Sequence, residues 1–218
     1  MSFKFPMEIN HDPARCQYKP VQLGVGVALQ TNRGIVLIEC DANHPTRGGY
    51  LTPASGLFEG GCPQKAALRE LGEELIVARH IGEQYTADGP TLYHVPEAVG
   101  YWSYDGVLLE PEWVKQYAKD HELEVDDSLV IPLTPITNFH GKTIFRFGSM
   151  LEITAIVAFE PEYGSIEMLI PLQVKIPDNV RCLDGERGPN GQWLGRKVVY
   201  RQPERLTTKA EAIFNAFL

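Results

Sequence analysis

A helix predicted over residues 63–75 constrains this chain more than any other segment, because it combines an apolar face with an acidic one. Pro63 suits the first turn of a helix, where its missing N–H is not needed, and the alanines and leucines that follow favour helical backbone. With a rotation of about 100° per residue, the apolar residues share one arc: Ala67, Leu68, Leu71 and Leu75. We expect this face to be buried against the rest of the protein.

The acidic residues of the same helix occupy a separate arc, and they are Glu70, Glu73 and Glu74, with Arg69 beyond them. Like charges three or four residues apart cost roughly 0.2–0.5 kcal/mol per pair unless a cation neutralises them. Mg²⁺ binds carboxylate oxygens, and a bound ion can neutralise phosphate charge and activate a water molecule. The acidic face therefore indicates either a metal site for phosphate chemistry or an ordinary solvated helix surface.

The rest of the chain alternates strand and helix patterns, which predicts an α/β fold. Apolar runs over 21–30 and 34–40 flank a turn and predict a β-hairpin, with a loop over 41–49. Further strands are predicted over 91–95, 99–109, 143–147, 151–159 and 167–174, and helices over 111–121 and 207–218. Residues 177–206 form a basic, loop-rich stretch with a hairpin turn at 189–192.

Composition restricts the domain count and the partners. A chain of 218 residues that is 44% hydrophobic can form one sizeable core, so we expect a single domain over 1–218 with residues 78–145 as an insertion. No segment approaches the roughly 18 apolar residues of a membrane helix, and the first residues lack the apolar run of a secretion signal. We therefore expect no membrane partner and a cytoplasmic location. The net charge of −8 disfavours large nucleic acids as partners.

The cysteines are scattered, at Cys16, Cys40, Cys62 and Cys182, and form no C-x-x-C pair. We expect reduced, buried thiols and no zinc site from this spacing. The histidines are isolated in the same way and show no metal-binding pattern.

The sequence around the acidic helix resembles the signature of the Nudix family, G-x5-E-x7-R-E-U-x-E-E-x-G-U, in which U is a bulky aliphatic residue. The R-E-U-x-E-E core is present without a gap as residues 69–74, RELGEE. Residues 50–61 (YLTPASGLFEGG) resemble the strand and loop before the family's helix, and residues 167–172 (EMLIPL) resemble a later strand motif. The resemblance implies a Nudix-type α/β/α sandwich with a mixed central sheet.

Two signature positions depart from the family pattern. The early glutamate of the signature falls on Gly61 or on Cys62, depending on the register, so neither alignment supplies that acid. Glu59 lies close by and is the candidate substitute. Ile76 replaces the usual glycine after the helix, which predicts a different exit of the chain from the helix.

The resemblance also implies roles for individual residues. Mg²⁺ or Mn²⁺ would be held by Glu70, Glu73 and Glu74, with a backbone carbonyl from the Gly56 region. Glu70 and Glu73 would be catalytic, Glu70 as ligand or base, and Arg69 would orient a glutamate by ion pairing. The family often recruits a further acid from a later loop, and the candidates are Glu152, Glu160, Glu162 and Glu167.

The resemblance further implies a small-molecule nucleotide substrate, a nucleoside diphosphate linked to another group such as ADP-ribose or a dinucleoside polyphosphate. Candidate substrate-binding residues are the aromatic pair Tyr101 and Trp102, which could stack on a base, and Arg187 and Arg196, which could contact phosphates. Pro90 and Tyr93 match hints for two different substrate classes, so the class stays open.

Three functions remain open on this sequence. The first is a metal-dependent hydrolase of a phosphoanhydride, in which water attacks phosphorus. The second is a Nudix-like ligand-binding or regulatory domain with weak or no turnover, which the missing early glutamate favours. The third is an unrelated α/β protein with an acidic helix. A homodimer is compatible with each of them.

Overall fold

Three helices and sixteen strands form in the part of the chain that the structure, a computed structural model, describes: residues 22–42, 44–80, 84–86, 89–93, 95–147, 151–160, 164–200 and 205–217. The helices are α1 (Pro63–Glu74), α2 (Pro111–Asp120) and α3 (Thr208–Phe217). The first eight strands are β1 (Gln22–Thr31), β2 (Gly34–Ile35), β3 (Leu37–Glu39), β4 (Leu51–Thr52), β5 (Ser55–Leu57), β6 (Leu75–His80), β7 (Gln84–Thr86) and β8 (Gly89–Tyr93). The last eight are β9 (Pro96–Tyr104), β10 (Val107–Leu108), β11 (Glu124–Pro135), β12 (Thr143–Phe147), β13 (Leu151–Glu160), β14 (Ser165–Val174), β15 (Val180–Asp184) and β16 (Val198–Val199).

One large mixed sheet organises these elements. Its strands follow the order β12-β13-β14-β11-β9-β6-β15, and β1 also pairs with β14. The β1–β14 and β9–β11 pairs are parallel, whereas β13–β14, β6–β9 and β15–β6 are antiparallel. The expected α/β class with a mixed central sheet is therefore confirmed.

Helices cover both faces of this sheet. Leu71 of α1 packs with Val27 of β1 and Trp102 of β9 in the largest core cluster. On the opposite face α3 packs through Ile213, and α2 packs on β6 and β9 through Val114. Because side chains alternate between the faces of a strand, neighbouring residues of β1 and β9 serve different clusters. The layers are those of an α/β/α sandwich, as expected.

The chain passes from α1 directly into a strand, at the position where the resembled signature has a glycine. The helix ends at Glu74, one residue before the predicted end, and Leu75 already has extended backbone. The chain then runs directly into β6, so no glycine is needed to turn it, and Ile76 fills a fully buried strand position. Whether this exit differs from that of the family stays a prediction.

Several predicted strand boundaries are wrong for identifiable reasons. The continuous strand predicted over 99–109 is two strands, because Asp105 and Gly106 adopt positive φ angles and form a hairpin turn between β9 and β10. The central strand β11 was not predicted, since its first half is polar and only its second half alternates in burial. The strand β15 was also not predicted, because it lies in the loop-rich stretch 177–206.

The segment 78–145, expected as an insertion, contributes β9 and β11 to the middle of the large sheet. Whether it was added to a smaller fold stays a prediction. The turn predicted at 189–192 is confirmed, since Arg187 and Trp193 pair across it and Gly188 donates its N–H to the carbonyl of Gln192 at 2.8 Å. None of the described helices has the length and apolar character needed to cross a membrane.

The cysteines of the described ranges are unpaired thiols, as expected, and Cys16 lies outside those ranges. Cys182 of β15 is buried in the core, and burial raises the pKa of its thiol to about 11. Cys40 and Cys62 are partly exposed.

Cys182 should therefore resist alkylation in the folded protein. A thiol whose pKa is raised by folding stabilises the fold fully below its unfolded pKa, and that contribution is lost as the pH rises from about 9 to about 11. We expect iodoacetamide at pH 8 to label Cys62 well before Cys182, as measured by peptide mass spectrometry. Equal labelling of the two under native conditions would contradict the placement of β15, and unfolding in urea should remove the difference.

Candidate functional site

The two middle carboxylates of the acidic helix are held together by one arginine. Arg69 donates from Nη2 to Glu70 at 2.5 Å and from Nη1 to Glu73 at 3.1 Å, the latter one helical turn away. The Arg69 side chain is 42% exposed and that of Glu73 is 30% exposed, whereas that of Glu70 is only 12% exposed. The predicted pairing of Arg69 with a glutamate is present, and it involves two glutamates.

Glu70 is packed tightly against the strand before the helix. A Cβ atom at Gly56 of β5 would overlap the Glu70 carboxylate, the far end of a flexible side chain, so the two groups are in close contact. Burial raises the pKa of Glu70, and the charges of Glu73, Glu186 and Glu59 raise it further, against the lowering effect of Arg69. The structure thus brings Gly56 and Glu70 together and concentrates negative charge around them.

Glu74 differs from Glu70 and Glu73 in its partners, and the expectation that all three carboxylates bind a metal ion stays a prediction. Its Oε2 accepts the backbone N–H of Ser55 at 2.7 Å, and its Oε1 lies 3.5 Å from Nη2 of Arg196. On the helical wheel Glu74 falls about 20° from Ala67, at the border of the apolar arc, and the helix buries that border. Burial and the neighbouring Glu186 raise the pKa of Glu74 well above its usual range, against Arg196 and the Ser55 N–H.

Arg196 forms ion pairs with carboxylates from three parts of the chain. Its Nη2 lies 2.8 Å from Asp184 at the end of β15, 3.0 Å from Glu186 in the following loop, and 3.5 Å from Glu74. Burial alone would lower the pKa of Arg196, but the hydrogen bonds and charge of Asp184, with the charges of Glu74 and Glu186, raise it. This cluster was not predicted, because nothing local to 184–186 distinguishes it from a surface loop.

A further carboxylate, Glu110, lies at the start of α2 beside the acidic helix. A Cβ atom at Gly72 would come within 2.8 Å of the Glu110 side chain, which shows how closely the two elements approach. Burial and the charge of Glu73 raise the pKa of Glu110. Glu59, the candidate substitute acid, is exposed and near enough for its charge to act on Arg69 and Glu70.

The candidates for a later acid have partners of their own. Glu152 is exposed and pairs with Arg146, and Glu162 lies outside the described residues. Glu160 accepts from Arg47 and from the backbone N–H of Lys209 at the start of α3. The carboxylate of Glu167 is also buried, where it accepts from Ser165 and lies 4.0 Å from Nζ of Lys209. Lys209 in turn donates to Ser55 at 2.6 Å, and the N–H of Ser55 binds Glu74, so Glu167 is the candidate that these contacts connect to the acidic helix.

The aromatic candidates for base stacking are core residues. Trp102 is 2% exposed, and its indole N–H donates to the Leu75 carbonyl at 2.7 Å. Tyr101 is 3% exposed and packs under α2. Neither offers an open ring face, so the stacking role predicted for this pair is wrong for physical reasons: a central strand buries both of its faces.

Arg187 is fixed on α2 rather than on the acidic helix. Its guanidinium lies over the rings of Trp193 and Trp113 and pairs with Asp120 at 3.0 Å. The indole of Trp113 also donates to the carbonyl of Gly185 at 3.1 Å. These contacts hold the loop that carries Glu186 against α2, and they leave Arg187 partly exposed.

The donor set can be tested for a divalent cation. Among the described residues, no three His, Cys, Asp or Glu side chains are arranged so that they could hold a metal ion. Glu70 and Glu73 supply the hard oxygen donors that a divalent ion prefers, and both are paired with Arg69. By donor type these two side chains fit a divalent ion. Glu74 has the same donor type and is paired with Arg196 and with the Ser55 N–H.

Comparisons with known proteins assign no family and no function to the chain. No protein-family description matches the sequence, and no curated protein matches it. A solved structure that is similar is the crystal structure of a NUDIX hydrolase from Nitrosomonas europaea, with 13% identity over 93% of this chain and 74% of that chain, and a TM-score of 0.39. The interpretation of the site therefore depends on the residues and contacts of this chain.

The contact between Gly56 and Glu70 can be measured by a double-mutant cycle. Gly56→Ala should lower the free energy of unfolding by about 0.5–1.5 kcal/mol, because the added methyl group pushes the flexible Glu70 side chain out of its rotamer. In a Glu70→Ala background the same substitution should cost much less, since the overlapping group is gone. Urea denaturation of the four proteins measures both costs. Additive costs would show that the two residues do not touch.

Proposed function

We propose that the protein is a metal-dependent hydrolase that cleaves a phosphoanhydride of a nucleoside diphosphate linked to another group, with water attacking phosphorus. The observation that carries the proposal is the joint placement of Glu70 and Glu73 on Arg69, with Glu70 packed on Gly56. The family resemblance implies metal-binding roles for these two glutamates and an orienting role for Arg69, and it implies a metal-binding role for Glu74 as well. A carboxylate of a merely solvated acidic face would point into water, whereas Glu70 lies against the strand at Gly56.

Glu70 and Glu73 are the residues that would hold Mg²⁺ or Mn²⁺. A bound divalent ion neutralises phosphate charge and lowers the pKa of a coordinated water. Glu59 and Glu110 add negative charge near this pair, so the surface repels a polyphosphate unless a cation is present. The chain thereby makes binding of an anionic substrate dependent on the cation.

Arg69 acts on the carboxylates and not on the substrate in this proposal. Its two nitrogens fix the Glu70 and Glu73 side chains in one arrangement, which reduces the rotamer entropy lost when an ion binds. The Gly56 backbone fixes Glu70 from the other side. The catalytic assignment thus comprises Glu70, Glu73 and Arg69, and Glu74 supports the helix from within.

A ligand-binding or regulatory domain with little turnover is the second candidate, and a specific observation favours it. Glu74, the last carboxylate of the signature core, is occupied by Ser55 and Arg196. Fewer open carboxylates leave fewer ligands for metal ions, which favours binding over hydrolysis. The two candidates differ in turnover, which can be measured directly.

Hydrolysis should be assayed with a panel of nucleoside diphosphate derivatives, including ADP-ribose and dinucleoside polyphosphates, in Mg²⁺ or Mn²⁺. We expect turnover that EDTA abolishes and that Glu70→Gln or Glu73→Gln lowers by about 100-fold or more, because each removes a charged ligand of the ion. Product release is measured by chromatography. Glu112→Gln, an exposed carboxylate on α2, is the matched control and should retain full activity.

If no compound of the panel is hydrolysed but calorimetry shows saturable binding of a nucleotide, the hydrolase proposal is rejected in favour of a ligand-binding domain. Turnover that persists in both glutamine variants would contradict the assignment of the site.

A further inference from the structure

The first turn of α3 is bound to the strand that precedes the acidic helix. Lys209, the second residue of α3, donates from Nζ to Oγ of Ser55 in β5 at 2.6 Å. The Lys209 side chain is 13% exposed, so its ammonium group lies largely within the protein. A hydrogen bond from a charged donor is about twice as strong as one between neutral groups. The start of α3 is therefore joined firmly to β5.

Ser55 in turn connects β5 to two glutamates of the acidic helix. Its backbone N–H donates to Oε2 of Glu74 at 2.7 Å, and the next residue, Gly56, is in close contact with the carboxylate of Glu70. The hydroxyl of Ser55 also donates to the Pro53 carbonyl at 3.2 Å. Because Ser55 and Gly56 are consecutive, a shift of β5 moves the contacts of both carboxylates.

Further contacts fix the direction of the Lys209 side chain. Oε2 of Glu167 on β14 lies 4.0 Å from Nζ, and Oε1 of the same carboxylate accepts from the hydroxyl of Ser165 at 3.0 Å. The backbone N–H of Lys209 donates to Oε1 of Glu160 at 3.1 Å. With its backbone and its ammonium group both bound, Lys209 is held pointing toward Ser55.

We propose that Lys209 is a positioning residue of the active site, which fixes Ser55 and through it the places of Glu70 and Glu74. The inference rests on the proposed function, because these glutamates belong to the helix that carries the reaction in that proposal. Lys209 donates to Ser55 and not to a substrate, so its effect is on the geometry of the carboxylates. Residues that hold the ligands of a metal site commonly change activity or metal affinity by about 10–100-fold when they are mutated.

Lys209→Met removes the ammonium group and keeps most of the length of the side chain. In the hydrolysis assay at saturating Mn²⁺, with the panel compound that is cleaved fastest, we expect kcat to fall by about 10-fold while KM changes by less than about 3-fold, because substrate contacts are retained. Lys209→Arg keeps a cation that can donate to Ser55 and should restore kcat. A rise in KM with kcat unchanged would overturn the proposal, since it would show that Lys209 contacts the substrate.

A double-mutant cycle tests whether the effect passes through Ser55. Ser55→Ala removes the hydroxyl that accepts from Lys209 and keeps the backbone N–H that donates to Glu74. If Lys209 acts through this hydroxyl, Lys209→Met should lower kcat much less in the Ser55→Ala background than in the unmodified protein. Independent, multiplicative losses of kcat would overturn the proposal.

Hydrogen exchange gives a readout that needs neither a metal ion nor a substrate. The N–H of Ser55 is bonded to Glu74, and we expect it to exchange about 10-fold faster in Lys209→Met, as measured by NMR. Ile213→Val, which shortens a buried side chain of the same helix, is the matched control for lost stability. It should lower the melting temperature but leave kcat and the Ser55 exchange rate close to those of the unmodified protein. Equal exchange of Ser55 in the two variants would overturn the proposal.

The outcomes separate this inference from the proposed function. If no panel compound is hydrolysed, the proposed function fails, and the exchange rate of Ser55 still decides whether Lys209 fixes the strand. If the unmodified protein hydrolyses a compound and Lys209→Met changes neither kcat nor the exchange rate, this inference alone is overturned.

A second variant serves if Lys209→Met does not fold. Lys209→Met/Glu167→Gln also removes the carboxylate that would be left without a cation, and Glu167→Gln alone is its control. Faster exchange of the Ser55 N–H in the double variant than in the control supports the proposal, and equal exchange overturns it.

Discussion

The burial of the Glu74 carboxylate against the backbone of Ser55 is the constraint on which the arrangement of the site depends. A carboxylate at the border of an apolar helix face requires hydrogen-bond donors or a cation, since desolvation of its charge is costly. Ser55 gives one donor from the strand before the helix, and Arg196 gives the cation from a distant loop. The two contacts fix the last turn of α1 relative to β5 and to the segment after β15.

The topology explains why residues so far apart in the sequence meet at this point. The chain leaves α1 without a turn, so β6 begins at Leu75, and Asp184 of β15 lies directly opposite Leu75 in the antiparallel pair. The N–H of Gly185 then donates to the carbonyl of Glu74 at 3.0 Å, which continues the pairing to the end of the helix. The loop that contains Glu186 must therefore start beside the acidic helix.

The sequence is sufficient to predict the helix, its two faces and the partnership of Arg69 with the glutamates, because these follow from helical periodicity within a few residues. It is insufficient for Glu74, Glu110 and Glu186. The helical wheel places Glu74 at the border between the apolar and acidic faces. Only the packed structure shows that this side chain is buried. Glu110 and Glu186 reach the site through α2 and through β15, and β15 carries no local signal in its loop-rich surroundings. The base-stacking role predicted for Trp102 is wrong because its strand is central and buried on both faces. The spacing of aromatic residues in the sequence does not distinguish a central strand from an edge strand.

The distribution of charge around α1 decides where an added cation would bind. On the buried side, Arg196 already lies among Glu74, Asp184 and Glu186, and its guanidinium blocks the point on which they converge. On the exposed side, Arg69 is shared by Glu70 and Glu73, while Glu59 and Glu110 add further negative charge nearby. The Arg69 side chain is 42% exposed and that of Arg196 is 13% exposed, so displacing the Arg69 guanidinium into solvent costs less than displacing that of Arg196.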